Sequence, residues 1–407
     1  MGDAESVRGS GFVERTRVAD ALETLDGATT VSTGTESIPL DGADGRVLAE
    51  SVSSPKNVPD YPRAAMDGYA VRAEDTFGAG DRSPATLTLD EGTAGPDRAT
   101  WVHTGSPVAD PADAVVKAEH AREIDDTVEI TAAAAVGQNV SDIGEDLEEG
   151  QHLFEPGHRL RPSDLALLRS VEIERVTVRE RPSVAVVPTG EELVESDPDP
   201  GEAIETNGIM VASLLERWGG EATLRDVVTD DREALEAAVE AELDADLIVT
   251  TGGSSIGKRD LLPAVVEEMG ELLVHGVALK PGHPVALGVV EDTPVLMLPG
   301  YPVACIVNAW QFVRPALNWT TDTTPDEPAR IEAELDRKIR SEPGVRSCVR
   351  VTVNDSGDRP QAEPVHVSGA SILSSVSLAD GWVQVPESVE GYDAGDTVTV
   401  EFWEALP

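Results

Sequence analysis

The chain of 407 residues carries 76 acidic and 31 basic side chains, a formal net charge of −45. So negative a surface repels phosphate backbones, which excludes nucleic acid as a partner. Its 40% hydrophobic residues suffice for packed cores, which excludes a disordered chain, and the length predicts two to four domains.

No run approaches the roughly 20 apolar residues of a membrane span. The start "MGDAESVRGS" lacks the basic and apolar stretches of a signal peptide. Cys305 and Cys348 form no C-x-x-C, which argues against a disulfide framework or a structural zinc site. The expectation is a soluble, cytoplasmic protein with no membrane partner. The acids are scattered, as in "EEMGE" and "EDLEEG", and lysine is confined to Lys56, Lys117, Lys258, Lys280 and Lys338. That pattern fits adaptation to high salt, where screening tames self-repulsion. Folding or dimerisation is therefore expected to weaken as ionic strength falls. Thermal melts in dilute buffer and in molar KCl test this, and equal melting temperatures would remove the argument.

In chain order, Val13, Val18, Leu22 and Leu25 recur at the spacing of an amphipathic helix. "ESIPLDGADGRVLAESV" predicts a strand, a short helix and the start of another strand. Residues 55–145 are rich in Gly, Pro and short β-like runs ("ATLTL", "ATWVHTG", "DAVVKAEH", "TVEITAA"), which predicts a small β domain. "DLALLRSV" predicts a short helix and "ERVTVRERP" extended chain. From Ser183 the pattern changes. "SVAVVPTGEEL" predicts a strand, a glycine turn and a helix start, and "NGIMVASLLERWGG" a helix closed by glycine. Strand "EATLRDVV", helix "DREALEAAVEAEL", strand "DLIVTTGG", helix "RDLLPAVVEEMG", strand "TPVLMLPG" and helix "PVACIVNAWQFVRPAL" follow. This alternation implies right-handed βαβ units and a mostly parallel sheet, with ligands at the C-terminal strand ends. "TTDTTPDEP" has the composition of a linker. The remainder, 329–407, predicts a small β domain ending in the hairpin-like "GYDAGDTVTVEF".

Three loops should open on one edge of that sheet: "PTGEELV" (188–194), "TTGGSSIGKRD" (250–260) and "LPGYP" (298–302). The second nearly spells a phosphate-binding P-loop. Gly252, Gly257 and Lys258 hold the G-x-x-x-x-G-K spacing, but Arg259 stands where a magnesium-binding hydroxyl belongs, and Asp260 follows. Glycines let backbone N–H groups approach an anion near a helix start. The expected anion-holding residues are Thr189 and Gly190, then Thr251, Gly252, Gly253, Ser254, Ser255 and Gly257, then Pro299 and Gly300.

Glu192, Asp230 and Asp260 fall at the same edge. Carboxylates beside a phosphate repel it unless a divalent cation bridges them, so these acids are the expected Mg²⁺ ligands. Asp260 would then do the metal work of the missing hydroxyl. The structural alternative makes each acid a helix cap or dipole partner, with Asp230 capping "DREALEAAVE", and leaves the glycines of "TGG" to a tight turn. Lys280, before Pro-Gly in a lysine-poor chain, is an anion-binding candidate. Asp67 in "YPRAAMDGYAVRAED" taken alone marks only a turn before a strand. The histidines form no H-E-x-x-H pattern and no G-x-S-x-G elbow occurs, which argues against a histidine zinc site and that class of hydrolase.

"RAAMDGYAVRAED", "HTGSPVADPADAVVKAE", "GEDLEEGQHLFEPGHRL", "VVPTGEELV", "TTGGSSIGKRDLL", "ALKPGHPVALG" and "LPGYPVACIV" occur in the order of one family. Through them the chain resembles the molybdopterin molybdenumtransferases (MoeA), relatives of the gephyrin E domain, from about residue 13 to its end. With the acid-rich surface, this points to a halophilic archaeal source. The resemblance implies a multidomain α/β fold. A discontinuous mixed N-terminal domain (1–54 plus 147–180) would flank an inserted β domain (55–146). A central parallel-sheet α/β domain like the molybdopterin adenylyltransferases (181–322) and a C-terminal β domain (327–407) would follow.

It further implies a homodimer whose cleft is shared between subunits, and transient contact with a molybdopterin adenylyltransferase. The implied reaction inserts molybdate, or tungstate, into adenylylated molybdopterin and releases AMP, assisted by Mg²⁺. By motif, Asp67, Thr104 and Asp146 would act from the inserted domain, Glu192, Asp230 and Asp260 from the central one, and Lys280 from "KPG-P". Arg350 and Ser371 match C-terminal positions facing the cleft. Lys280 and Arg350 would attract the molybdate dianion, with hydroxyls of Ser371 and Thr104 bonding to it.

The chain departs from the family where Tyr301 replaces Asn, His283 replaces Lys and Gly276 replaces a second lysine. Those losses keep open a non-catalytic molybdopterin-binding paralogue or scaffold, while the α/β domain alone would suggest an adenylyltransferase, against which the extra domains and "MDGYAVR" argue.

Overall fold

The structure is a computed structural model describing residues 15–31, 34–92, 94–254, 261–323, 327–357, 359–365 and 369–403. These form two compact units, Ser37–Val178 and Met1–Glu36 with Arg179–Pro407.

In the first unit, six strands form a sheet in the order Ala114–Lys117, Gly68–Val71, Arg98–Val102, Ala85–Leu89, Thr127–Ile130, Ala121–Ile124. Alternation along the strands turns Tyr69, Val71, Leu87, Val116, Val128 and Ile130 into one core. Gly68 lies so close to its neighbour that a Cβ there would fall 2.0 Å from Val116 O. A second core gathers Leu40, Leu48, Leu160, Leu168, Val176 and Val178 around the Pro162–Ser170 helix. The carboxylate of Asp164 starts that helix by accepting the Arg161 backbone N–H at 2.9 Å.

The second unit contains the expected α/β sheet. Its order is Glu221–Leu224, Ser183–Pro188, Leu247–Thr251, Thr293–Leu298, Ala286–Val290, Glu271–His275. The first four strands are parallel, and Ala286–Val290 runs antiparallel to both of its neighbours, Thr293–Leu298 and Glu271–His275. Alternate residues enter opposite cores. Val184, Val186, Leu247, Val249, Leu296 and Leu298 face one side, and Ala185, Val187, Ile248, Val295 and Met297 the other. Helices cover both faces, which is why these strands are continuous apolar runs rather than alternating ones. The Val18–Ala28 helix buries Val18, Ala21 and Leu25 in the first of these cores. Val13 lies outside the described residues.

Two local expectations change. No helix starts at "GEEL": Leu193–Val194 instead pairs in parallel with Ala203–Ile204, and the next helix is Asn207–Arg217. Pro198 and Pro200 between the short strands block helical continuation. "GYDAGDTVTVEF" is no hairpin, since Gly391–Tyr392 pairs with Ile339–Arg340 and Thr397–Glu401 with Arg330–Leu335 and Gly381–Val385.

The C-terminal sheet closes on itself, because Arg346–Asn354 pairs with both Gln361–Pro364 and Gly381–Val385. Ala333, Leu335, Val351, Val383, Val398 and Val400 fill its interior. Trp218, Trp310, Trp382 and Trp403 contact one another in series, at centroid distances of 5.7, 5.8 and 4.9 Å, and join this sheet to the α/β layers. Such pairs contribute about 0.5–1.5 kcal/mol each beyond their burial.

Candidate active site at the edge of the parallel sheet

Three parallel strands end level with one another, with Pro188 opposite Thr251 and Thr251 opposite Leu298. Their loops therefore begin side by side. The Gly252 N–H donates to Leu298 O at 2.9 Å and ties the second loop to the third strand. A Cβ on Gly252 would fall 2.2 Å from Thr189 O, one on Gly253 3.0 Å from Thr189 Oγ1, and one on Gly300 3.7 Å from Gly252 Cα. The structure thus brings together Thr189, Gly252, Gly253 and Gly300, with Gly190, Thr251, Ser254 and Pro299 adjoining them in sequence. Ser255, Gly257 and Asp260 lie outside the described residues.

Four buried polar atoms at this edge have no hydrogen-bond partner among the described residues: Thr189 Oγ1, Thr251 Oγ1, Ser254 Oγ and Asn207 Oδ1. A buried polar group left unmade costs about 1–3 kcal/mol, so a ligand that supplies partners recovers that cost. Hydroxyls can donate, and phosphate oxygens accept. Asn207 escaped sequence reasoning. The available signal was a Thr-Asn-Gly run opening a helix beside the sheet edge.

The acids divide. A Cβ on Gly190 would lie 3.0 Å from Glu192 Oε2, so the Glu192 carboxylate folds back over the glycine of the first loop. Gly190 N–H donates to Val228 O at 3.1 Å, and Val228 N–H to Pro188 O at 2.9 Å. The chain just before Asp230 therefore runs beside that loop. The helix Arg232–Glu240 is capped by Asp231, which accepts the Ala234 N–H at 3.1 Å. Asp230 is not the cap. Among the described residues no three His, Cys, Asp or Glu side chains are grouped to hold a metal.

Lys280 is exposed at the end of a two-residue strand paired with Arg346–Ser347. Arg350 follows on the same Arg346–Asn354 strand, half-buried, and burial pushes its guanidinium pKa down. Asn308 Nδ2 donates to Gly282 O at 3.0 Å, fastening the Lys-Pro-Gly turn to the helix after the third loop. Val303, in that helix, donates its N–H to Ala370 O at 3.0 Å, which sets Ser371 close by.

The departures gain physical content. His283 is partly buried, and burial together with Arg15 pushes its imidazole pKa down, which makes it a poorer cation than the lysine it replaces. Gly276 is buried at φ 92°, a conformation that favours glycine over lysine. Tyr301 is 61% exposed.

Within the other unit, the structure joins Asp67 to Thr104. The Thr104 N–H donates to Asp67 Oδ1 at 2.7 Å and its hydroxyl to the same oxygen at 2.9 Å. These bonds, the backbone one first, hold the Asp67 carboxyl below its ordinary range. Thr104→Val is expected to raise that pKa part of the way back, because the backbone bond survives. A carboxyl titration followed by NMR checks this, and an unchanged value would show the hydroxyl bond to be inconsequential. Asp146 is exposed on a different loop, its N–H donating to Val58 O at 2.9 Å.

Family comparison divides the chain in three. The MoeA N-terminal region (domains I and II) matches residues 16–171, a domain described as "Probable molybdopterin binding domain" matches 185–319, and the MoeA C-terminal region (domain IV) matches 332–403. The chain is 31% identical to the molybdopterin molybdenumtransferase of Bacillus subtilis, over 90% of this chain and 89% of that one. It is 31% identical to the enzyme of the same name from Haemophilus influenzae, over 91% and 94%. A crystal structure of the molybdopterin biosynthesis MoeA protein from Pyrococcus horikosii superposes with a TM-score of 0.82 at 34% identity, covering 97% of this chain and all of that one.

Proposed function

Because the chain belongs to the MoeA family, we propose that it is a molybdopterin molybdenumtransferase. It takes adenylylated molybdopterin and molybdate, or tungstate, inserts the metal at the dithiolene and releases AMP. The observation that carries this reading is the set of buried hydroxyls of Thr189, Thr251 and Ser254, unpartnered among the described residues, beside the Gly252–Gly253 turn, where a Cβ would collide with Thr189. Donors without acceptors in a backbone cradle suit the phosphate oxygens of a nucleotide-linked substrate.

Mg²⁺ belongs to the same proposal. The chemistry of the donors supports it: Glu192 folds over Gly190, Asp230 follows the chain tied to that loop, and hydroxyl and carboxylate oxygens are the hard ligands Mg²⁺ takes. Glu192 and Asp230 would hold it, with Asp260. Mg²⁺ bound there would supply Lewis-acid polarisation and charge neutralisation at the phosphate oxygens. The protein's own groups do the rest. The glycine N–H groups and Thr and Ser hydroxyls hold phosphate oxygens, while Lys280 and Arg350 draw in the oxyanion with a hydroxyl from Ser371. Asp67 with Thr104, and Asp146, complete the proposed set, as do homodimerisation, passing contact with an adenylyltransferase and the four-domain division.

The test is incubation of purified protein with adenylylated molybdopterin, Mg²⁺ and molybdate or tungstate. AMP release with cofactor formation is the expected result. Tight binding without turnover would instead support a binding paralogue, the reading that the replacement of two lysines by His283 and Gly276 keeps open.

A further inference from the structure

Asn207 opens the Asn207–Arg217 helix and is 8% exposed. Its two amide ends behave differently. Nδ2 donates to Gly300 O at 2.6 Å, fixing the third loop. Oδ1 is buried and has no partner among the described residues. The partnered Nδ2 settles which end is which. The three hydroxyls at this edge can give a proton to a phosphate oxygen, but an amide carbonyl only accepts. Phosphate, whose oxygens also accept, cannot satisfy it. A helix N-terminus ordinarily favours anions, and a buried acceptor there suits a ligand that presents a donor.

We propose that Asn207 accepts a hydrogen bond from a ring N–H or exocyclic amino group of the substrate while its other end positions Gly300. This rests on the molybdopterin reading above. Two parts of adenylylated molybdopterin carry ring N–H or amino donors, the pterin and the adenine. The residue is therefore a specificity determinant for one heterocycle, distinct from the hydroxyls and N–H groups that hold phosphate.

The experiment measures binding of molybdopterin, AMP and inorganic pyrophosphate, separately, to wild-type protein, Asn207→Ala and Asn207→Asp, with a melting curve for each. Asn207→Ala is expected to weaken about tenfold whichever ring-bearing probe sits against it, the scale of one lost hydrogen bond with a buried partner, and to change pyrophosphate far less. Asn207→Asp keeps an acceptor and loses the bond to Gly300. It should restore the ratio of ring affinity to pyrophosphate affinity even where its charge weakens both. Loss confined to molybdopterin places the pterin at Asn207, and loss confined to AMP places the adenine there. Equal weakening of all three probes would leave Asn207 as a loop support only and overturn the proposal, as would unchanged ring affinity in the alanine variant. A shift confined to the Mg²⁺ requirement would overturn it too, by making Oδ1 a metal ligand. If wild-type protein binds neither ring-bearing probe, the reading of the site has failed and this inference with it. That result differs from one in which wild type binds and the variants match it.

Discussion

Glu192→Gln is expected to slow AMP release about a hundred- to a thousandfold while leaving the melting curve in place, the usual scale for losing one electrostatic element of transition-state stabilisation. The change is nearly isosteric. The backbone role of the residue survives it, because Ala203 donates its N–H to the Glu192 carbonyl at 2.8 Å and not to its side chain. What goes is the negative charge folded over Gly190. A divalent cation shared between that carboxylate and phosphate oxygens would be held more weakly. The Mg²⁺ concentration for half-maximal turnover should therefore rise. Binding of AMP without metal should hold or tighten, since one repelling charge near the phosphate is removed. If Glu192 only shapes its loop, turnover and Mg²⁺ requirement will both match wild type. A loss of turnover at an unchanged Mg²⁺ midpoint would move Glu192 out of the metal site and into direct contact with substrate.

Asp230 is the natural second test of the same idea. The helix it precedes is capped by Asp231, so Asp230→Asn carries no capping cost that could be mistaken for a catalytic one.

How much of this was legible beforehand depends on whether the governing partner is near in sequence. The parallel sheet was legible because both faces are covered, and "SVAVV" and "DLIVTT" announce that by being apolar throughout. The three loops followed from strand direction alone. Their contact, through Gly252 against Thr189 and Gly300 against Gly252, is the physical content of that expectation. The helix start in "GEELVES" failed since the prolines at 198 and 200 lie just beyond the pattern that suggested it. The terminal hairpin failed for a different reason. Thr397–Glu401 finds its partners at Arg330–Leu335 and Gly381–Val385, and no local pattern names a strand that far away. Asn207 is the clearest omission in the site. A helix-opening Asn invites the reading of a cap, whereas its function-bearing feature is a bond to Gly300, 93 residues on, and an acceptor left over. Asp230 is the reverse case: the sequence offered two acids for one cap, and only geometry shows that Asp231 takes it.

The glycine loop itself can be tested without removing any functional group. Gly252→Ala adds one methyl where φ is 137° and where a Cβ would stand 2.2 Å from Thr189 O and 2.9 Å from Thr189 Oγ1. Neither neighbour is the far end of a flexible chain; one is backbone. Relief requires the first and second loops to part by about 1 Å, a displacement that typically costs on the order of a hundredfold in rate at a preorganised site. Backbone strain and overpacking each add about 1–3 kcal/mol, so the α/β unit should lose roughly 2–5 kcal/mol. The expected outcome is a lower melting temperature together with AMP release near 1% of wild type. Gly201→Ala supplies the control. Its φ is 109°, equally unfavourable for alanine, but a Cβ there meets nothing within 4 Å among the described residues. It should show a smaller drop in melting temperature and normal turnover. The pair separates conformational strain from collision with Thr189. A Gly252→Ala protein that melts and turns over like wild type would mean that the loops yield without cost, and the close approach at Thr189 could no longer be part of what shapes the site.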